Sequence, residues 1–286
     1  MTDRVTPGAP FTVLPVPGGV EVLRLACSVG TLTALRARPA GTGHGTALLV
    51  PGFTGSKEDF LDLLPLLADH GWDAWAFSQR GQGDSAAPEG ESAYTRELFA
   101  ADAVEVARLV RAATGAGPLH LLGHSFGGTV AQAAALAAPG EFADLVLLCS
   151  GPHGWPGRKA AEEDRLRAAG KRTDLWTLDN PERAALDPAE LGLVERFVRE
   201  RSRHTSVDNL LGAIAVLRDP EDHTLALAAT GLPVLVAHGV RDSDAWPQPW
   251  QRRSAELLGG RYAVIPDAGH LPNQENPAAT AALLSG

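Results

Sequence analysis

The sequence predicts an α/β fold: a mostly parallel, eight-stranded sheet flanked by helices, with a helical cap inserted late in the chain. Three observations carry this. Short apolar runs bounded by turn residues alternate with longer segments of helical periodicity, the pattern of a parallel sheet with crossover helices. The central runs are apolar almost throughout, as strands covered on both faces must be. Residues 152–222 break the alternation with repeated helix-start signals and no clear strand.

In chain order, residues 20–28 and 31–38 read as a strand pair turning at Gly30, and 46–50 as a buried strand. Ser56 followed by Asp59 has capping-box spacing, and Leu63, Leu64 and Leu67 continue it at helical period. A strand over 72–78 precedes a helix over 96–113, whose apolar face carries Leu98, Val106, Leu109 and Val110. Further strands are expected at 118–122, 145–149, 233–237 and 262–265. Within 152–222, Asn180-Pro181, Asp187-Pro188 and Asp219-Pro220 each pair a capping residue with a proline suited to the first helical position. The expected division is a core over 1–151, a helical cap over 152–222 folding back over the core, and the rest of the core over 223–286.

Composition narrows the function. A chain of 286 residues with 44% hydrophobic content buries a large core. Its net charge of −9, without a lysine or arginine cluster, argues against nucleic acid as a partner. The expected partner is a small-molecule substrate, met by a monomer or homodimer. The N-terminal segment has no apolar signal core and no run approaches the roughly 18 apolar residues of a membrane span, so a cytoplasmic protein without membrane contact is expected. Cys27 and Cys149 each fall in a predicted strand and read as buried, reduced thiols. The histidines lack metal-ligand spacing, and neither a metal nor a cofactor is expected.

The chemistry centres on Gly123-His124-Ser125-Phe126-Gly127, directly behind the apolar run 118–122 and ahead of the alanine-rich helical segment 128–136. Alone the pentapeptide is a weak signal. A strand before it and a helix after it make it a nucleophile elbow, a sharp turn that exposes a serine hydroxyl. Phe126 then offers a backbone N–H to a developing oxyanion. A serine needs a base, and the base an orienting carboxylate. Asp242 follows the strand at 233–237 and His270 the strand at 262–265, giving the chain order serine, aspartate, histidine.

With these residues in view the chain resembles the α/β-hydrolase family. Residues 49–56 (Leu-Val-Pro-Gly-Phe-Thr-Gly-Ser) resemble its oxyanion loop, Arg80-Gly81-Gln82-Gly83-Asp84-Ser85 its R-G-x-G-x-S loop, and Gly269-His270 with Glu275-Asn276-Pro277 its histidine signature. The resemblance implies an α/β-hydrolase fold in which Ser125 is the nucleophile, His270 the general base and acid, Asp242 its orienter, and the N–H groups of Phe53 and Phe126 the oxyanion hole. It implies a cofactor-independent serine hydrolase acting on a small hydrophobic carboxylic ester. The same triad also serves C–C bond, thioester, amide and lactone hydrolysis, and a ligand receptor retaining the triad is the rival of another class. A serine at the elbow argues against the dehalogenase and epoxide-hydrolase chemistry of this fold. Two positions depart from the family: Pro51 where many members have histidine, and Ser78 where many have aspartate.

Other residues keep alternative roles. Asp244 is a second candidate for the triad acid, while Asp267 reads as a turn residue. His124, adjacent to Ser125 on an extended strand, points to the opposite side and reads as structural. Histidines 153, 204 and 223 read as surface or packing residues, and Arg80 as a donor that fixes its loop. Trp155, Trp176 and Trp246, with Phe53 and Phe126, are expected to wall an apolar substrate pocket.

Overall fold

The computed structural model describes residues 4–11, 13–41, 43–243 and 245–285, Arg172 by its backbone only. Among them, one sheet is built from β1 (Val5–Pro7), β2 (Val20–Cys27), β3 (Gly30–Ala37), β4 (Gly45–Val50), β5 (Trp72–Phe77), β6 (Leu119–His124), β7 (Phe142–Leu148), β8 (Val234–Gly239) and β9 (Arg261–Ile265). Their spatial order is β1-β2-β3-β5-β4-β6-β7-β8-β9. The pairs β1/β2, β2/β3 and β3/β5 are antiparallel, and every pair from β5 to β9 is parallel. All eight predicted strands are present. The additional one, β1, is three residues ending in a proline, with no apolar run to announce it; it forms because the outer edge of β2 offers it a backbone ladder.

Helices α1 (Leu63–Asp69), α2 (Arg96–Thr114) and α3 (Phe126–Ala137) follow β4, β5 and β6. Between β7 and β8 lie α4 (Ala160–Ala169), α5 (Leu175–Asp179), α6 (Pro181–Ala184), α7 (Leu193–His204), α8 (Val207–Arg218) and α9 (Thr224–Ala228), and α10 (Gln248–Leu258), α11 (Pro272–Glu275) and α12 (Pro277–Ser285) complete the chain. The spacing of Leu63, Leu64 and Leu67 places all three on the buried face of α1. The Thr95 hydroxyl caps α2 by accepting the Leu98 N–H, and Gly115, at φ 73°, ends it in the left-handed region that suits glycine. Asn180-Pro181 opens α6 and Asp187-Pro188 a short 3₁₀ turn, but Asp219-Pro220 opens nothing. Asp219 instead closes α8, its N–H bonded to the Val216 carbonyl, and the next helix begins at Thr224.

Two hydrophobic cores sandwich the sheet, one shared with α2, α3 and α10, the other with α1 and α12. A third, smaller one holds Leu166, Leu175, Leu210, Leu211 and Ile214 together in the helices between β7 and β8. No helix is long and apolar enough to cross a membrane among the described residues. Because β4 has β5 on one side and β6 on the other, the strand order reverses between β4 and β6. Their carboxyl ends therefore open a crevice, where sheets of this kind place ligands.

One buried ion pair ties the loop after β5 to α2. Arg80 donates through Nε and Nη2 to the two Asp102 carboxylate oxygens at 2.6 and 2.7 Å, and through Nη1 to the Ala93 carbonyl at 2.6 Å. Burial raises the Asp102 carboxyl pKa despite the guanidinium beside it. Replacing Asp102 alone strands a buried cation, so Asp102→Ala is expected to lower stability by about 3–5 kcal/mol in urea unfolding, whereas the joint Arg80→Met, Asp102→Leu variant loses less.

Candidate active site

Ser125 occupies the single turn between β6 and α3, at φ 53° and ψ −121°. Close packing makes this strained conformation the one available. A Cβ on Gly123 would stand 2.3 Å from the Gly127 carbonyl oxygen, and one on Gly127 would stand 2.2 Å from the Val50 oxygen. The Ser125 N–H is taken by the Leu148 carbonyl at 2.8 Å.

The loops after β8 and β9 bring two more side chains to the same edge. His270 Nε2 lies 3.0 Å from Ser125 Oγ, and His270 Nδ1 lies 2.9 Å from Asp242 Oδ1. Asp242 is fully enclosed, so the carboxylate is screened little by water and acts strongly on the imidazole it touches. The histidine loop is clamped from behind. Glu275 accepts the N–H groups of Gly269 and Leu271, each at 2.9 Å, and Asn276 Nδ2 donates to the Pro266 carbonyl at 2.8 Å. The amides, that of Leu271 foremost, hold the Glu275 carboxyl below its ordinary range. Asp267, at φ 55°, turns this loop, and Arg241 donates to its carbonyl. Asp244 lies outside the described residues.

Phe53 follows β4. The two carbonyls before it are engaged by buried amides, Pro51 by Gln79 Nε2 at 2.9 Å and Gly52 by Gln82 Nε2 at 2.8 Å. Neither the Phe53 nor the Phe126 N–H finds an acceptor among the described residues, and the latter is the first amide of α3. Ser78, where aspartate is common in the family, accepts the Lys57 N–H on its hydroxyl at 3.0 Å.

His124 is nearer the chemistry than its strand position suggests. It is buried, lines the same cleft as Ser125, and its ring centroid is 5.2 Å from that of His270. Its Nε2 lies 2.7 Å from the His270 carbonyl, which only accepts, so Nε2 carries the proton. Burial, reinforced by the neighbouring His270, pulls its pKa down to about 4.

The cleft over Ser125 measures about 1030 Å³. Phe53 and Trp155 line it; the other three aromatic residues expected there do not. The Phe126 side chain is buried edge-on against Phe99, with centroids 5.2 Å apart. Trp246 is buried behind Arg158 and against Gly151, its Nε1 bonded to the His153 carbonyl. Trp176 faces a smaller cleft of about 110 Å³ beside Leu175 and Leu210, which adjoins the first at Thr54, Val198 and Arg201. The wall is also not purely apolar, because Arg158, Lys159, Glu162, Asp59 and Arg201 join it. Sequence reasoning missed these: the Arg201 and Asp59 partners stand 142 positions apart, and no local spacing announces such a pair. A further cavity of about 340 Å³, lined by Trp72, His120, Asp144 and Leu284, shares no residue with this cleft.

The buried His124 gives a pH signature. Its pKa in the folded protein lies below the ordinary 6.5, so between those values the unfolded chain binds a proton that the folded one refuses. The stability tied to neutral His124 is complete above about pH 6.5 and is lost as pH falls towards 4, by about 3 kcal/mol. Urea unfolding at pH 7.5 and pH 4 should show this loss in the wild type and its absence in His124→Asn; equal pH dependence in both contradicts it.

Residues 47–283 match the family model described as the alpha/beta hydrolase family. The chain is 28% identical over 268 residues, 90% of this chain and 67% of the relative, to a dihydrolipoyllysine-residue acetyltransferase component of the acetoin cleaving system of Cupriavidus necator. It is 30% identical over 237 residues, 72% of this chain and 78% of the relative, to a non-heme chloroperoxidase of Streptomyces lividans. Among solved structures, a hydrolase from Pseudomonas aeruginosa superposes with a TM-score of 0.73 at 26% identity, over 92% of this chain and 97% of that one. A strained serine turn at the sheet's switch point, within a family match spanning well over half of the chain, makes this protein a member of the alpha/beta hydrolase family.

Proposed function

We propose that the protein is a serine hydrolase that cleaves a small carboxylic ester with a hydrophobic body, through an acyl-Ser125 intermediate. The observation that carries this reading is the unbroken hydrogen-bond relay from Asp242 through His270 to Ser125, at 2.9 and 3.0 Å. Asp242 holds the proton of His270 on Nδ1, which leaves Nε2 free to accept. As Ser125 Oγ attacks the ester carbonyl, His270 Nε2 takes the hydroxyl proton, and the carbonyl oxygen gains charge opposite the N–H groups of Phe53 and Phe126. Collapse breaks the bond to the alcohol, which leaves with the proton from His270. A water then gives its proton to the same nitrogen, its oxygen attacks the acyl carbon, and Ser125 regains the proton as the acid departs.

The helices between β7 and β8 are assigned the role of a cap. The supporting contacts run from α7 and α8 to the core: Arg201 pairs with Asp59, Asn209 Nδ2 donates to the Arg80 carbonyl at 2.7 Å, and the Ser206 N–H donates to the Gly81 carbonyl at 2.8 Å.

The test is intact-mass spectrometry after exposure to a small fluorophosphonate. One adduct is expected on the wild type and none on Ser125→Ala or His270→Ala. With an ester that the wild type turns over, Asp242→Asn should lower kcat by on the order of 10⁴-fold, because the imidazole loses its orientation and tautomer. A folded wild type that takes no adduct and cleaves no ester overturns the hydrolase reading.

A further inference from the structure

We propose that Arg158 is a specificity-determining residue of this cleft and that it receives a carboxylate carried by the substrate away from the bond that is cleaved. The proposal rests on the hydrolase reading for its chemistry, and on the following geometry for its site.

Arg158 is 8% exposed and forms part of the cleft wall. Its guanidinium lies over two indole rings, with Cζ 4.2 Å from the Trp155 ring centroid and 3.7 Å from that of Trp246. Nη2 donates to the Ala245 carbonyl at 2.8 Å, and the Arg158 carbonyl accepts Arg218 Nε at 2.7 Å. Backbone and side chain are thus both fixed. Nη1 is buried and has no partner among the described residues, and no carboxylate among them pairs with this guanidinium.

The other charges of the wall are satisfied within the protein. Lys159 pairs with Glu162 at 2.8 Å, Arg201 with Asp59, and Glu58 with the enclosed Lys57 at 2.8 Å, while Asp62 lies exposed to water. Among the described residues, Arg158 is the cation of this wall that has no carboxylate partner. Burial lowers its pKa to about 10, which still leaves it charged at neutral pH. Stacking on indoles offsets part of the cost of a desolvated cation, but only an anion completes the unused N–H donors with a charge-assisted bond. A guanidinium that no carboxylate pairs with among the described residues, with its Nη1 buried and unpartnered, fits a single carboxylate group. A dianionic phosphate would bring a second charge, and no other unpaired cation of the wall stands among the described residues to meet it.

The experiment compares kcat/KM for two matched pairs of esters. Mono-4-nitrophenyl glutarate against 4-nitrophenyl valerate puts the anion in the acyl arm; 4-acetoxybenzoate against 4-methylphenyl acetate puts it in the alcohol arm. The wild type is expected to favour the anionic member of one pair by about tenfold or more, the scale of one charge-assisted hydrogen bond. In Arg158→Met that preference should fall by about the same factor, through KM. Thermal melting and fluorophosphonate labelling of Ser125 establish that the variant is folded with its serine intact. If Arg158→Met does not fold, Arg158→Lys decides, since it keeps the charge but loses the planar guanidinium and should also lower the ratio. A wild type that favours the neutral ester in both pairs, or a ratio unchanged in the folded variant, overturns the proposal. If no ester is cleaved, the hydrolase reading falls, and calorimetric titration with the monoanions glutaramate and benzoate judges the anion site separately. Binding by the wild type that the variant loses upholds it; no binding, or equal binding, overturns it.

Discussion

The carboxyl edge of the sheet depends on how tightly the turn after β6 packs against the end of β4. Gly127 touches the backbone of Val50 so closely that no side chain fits between them, and Gly123 touches the turn itself. This contact forces Ser125 into the left-handed region at φ 53°. It also sets Phe126 at the head of α3 and brings the loop after β4, with Phe53, to the cleft that Ser125 lines; neither backbone N–H has an acceptor among the described residues. Strain of this kind persists only where the surroundings over-determine it. Here they comprise a parallel ladder on each side of β6 and a helix packed on both neighbours.

Around that turn, hydrogen-bonded supports hold the loops that carry the candidate catalytic groups. His270 sits in a loop, yet Glu275, Asn276 and His124 fix its backbone from three directions. The neutral state of His124 matters to this arrangement, because a positive charge 5.2 Å from the His270 ring would oppose the imidazolium that the proposed mechanism requires. The Phe53 loop is held in the same manner by Gln79 and Gln82. Electrostatic catalysis gains from donors that need not reorganise at the moment of reaction.

Much of this was legible in the sequence because it is local. Each apolar run ends within two residues of a strand's end, and Ser125, Asp242 and His270 each follow such a run closely. Parallel strands carry all three to one edge whatever the helices do. The elements that escaped are those whose existence depends on partners far away. Strand β1 needs the edge of β2, and Asp219 belongs to the helix before it rather than the one after. The cleft wall escaped for the same reason: Trp246 is drawn beneath Gly151, Trp176 turns to another cleft, and Arg158 takes the place they were expected to fill. Aromatic residues in 152–222 are visible as a composition, but their direction is decided by tertiary packing.

The central claim is that Ser125 carries the acyl group during turnover. Rapid acid quench with a slowly deacylated 4-nitrophenyl ester, followed by peptide mapping, tests it most directly. The expected result is a burst of nitrophenol close to one equivalent per chain and an acyl group on the peptide bearing Ser125. Turnover with no acyl group on that peptide, or with the acyl group on another residue, contradicts it.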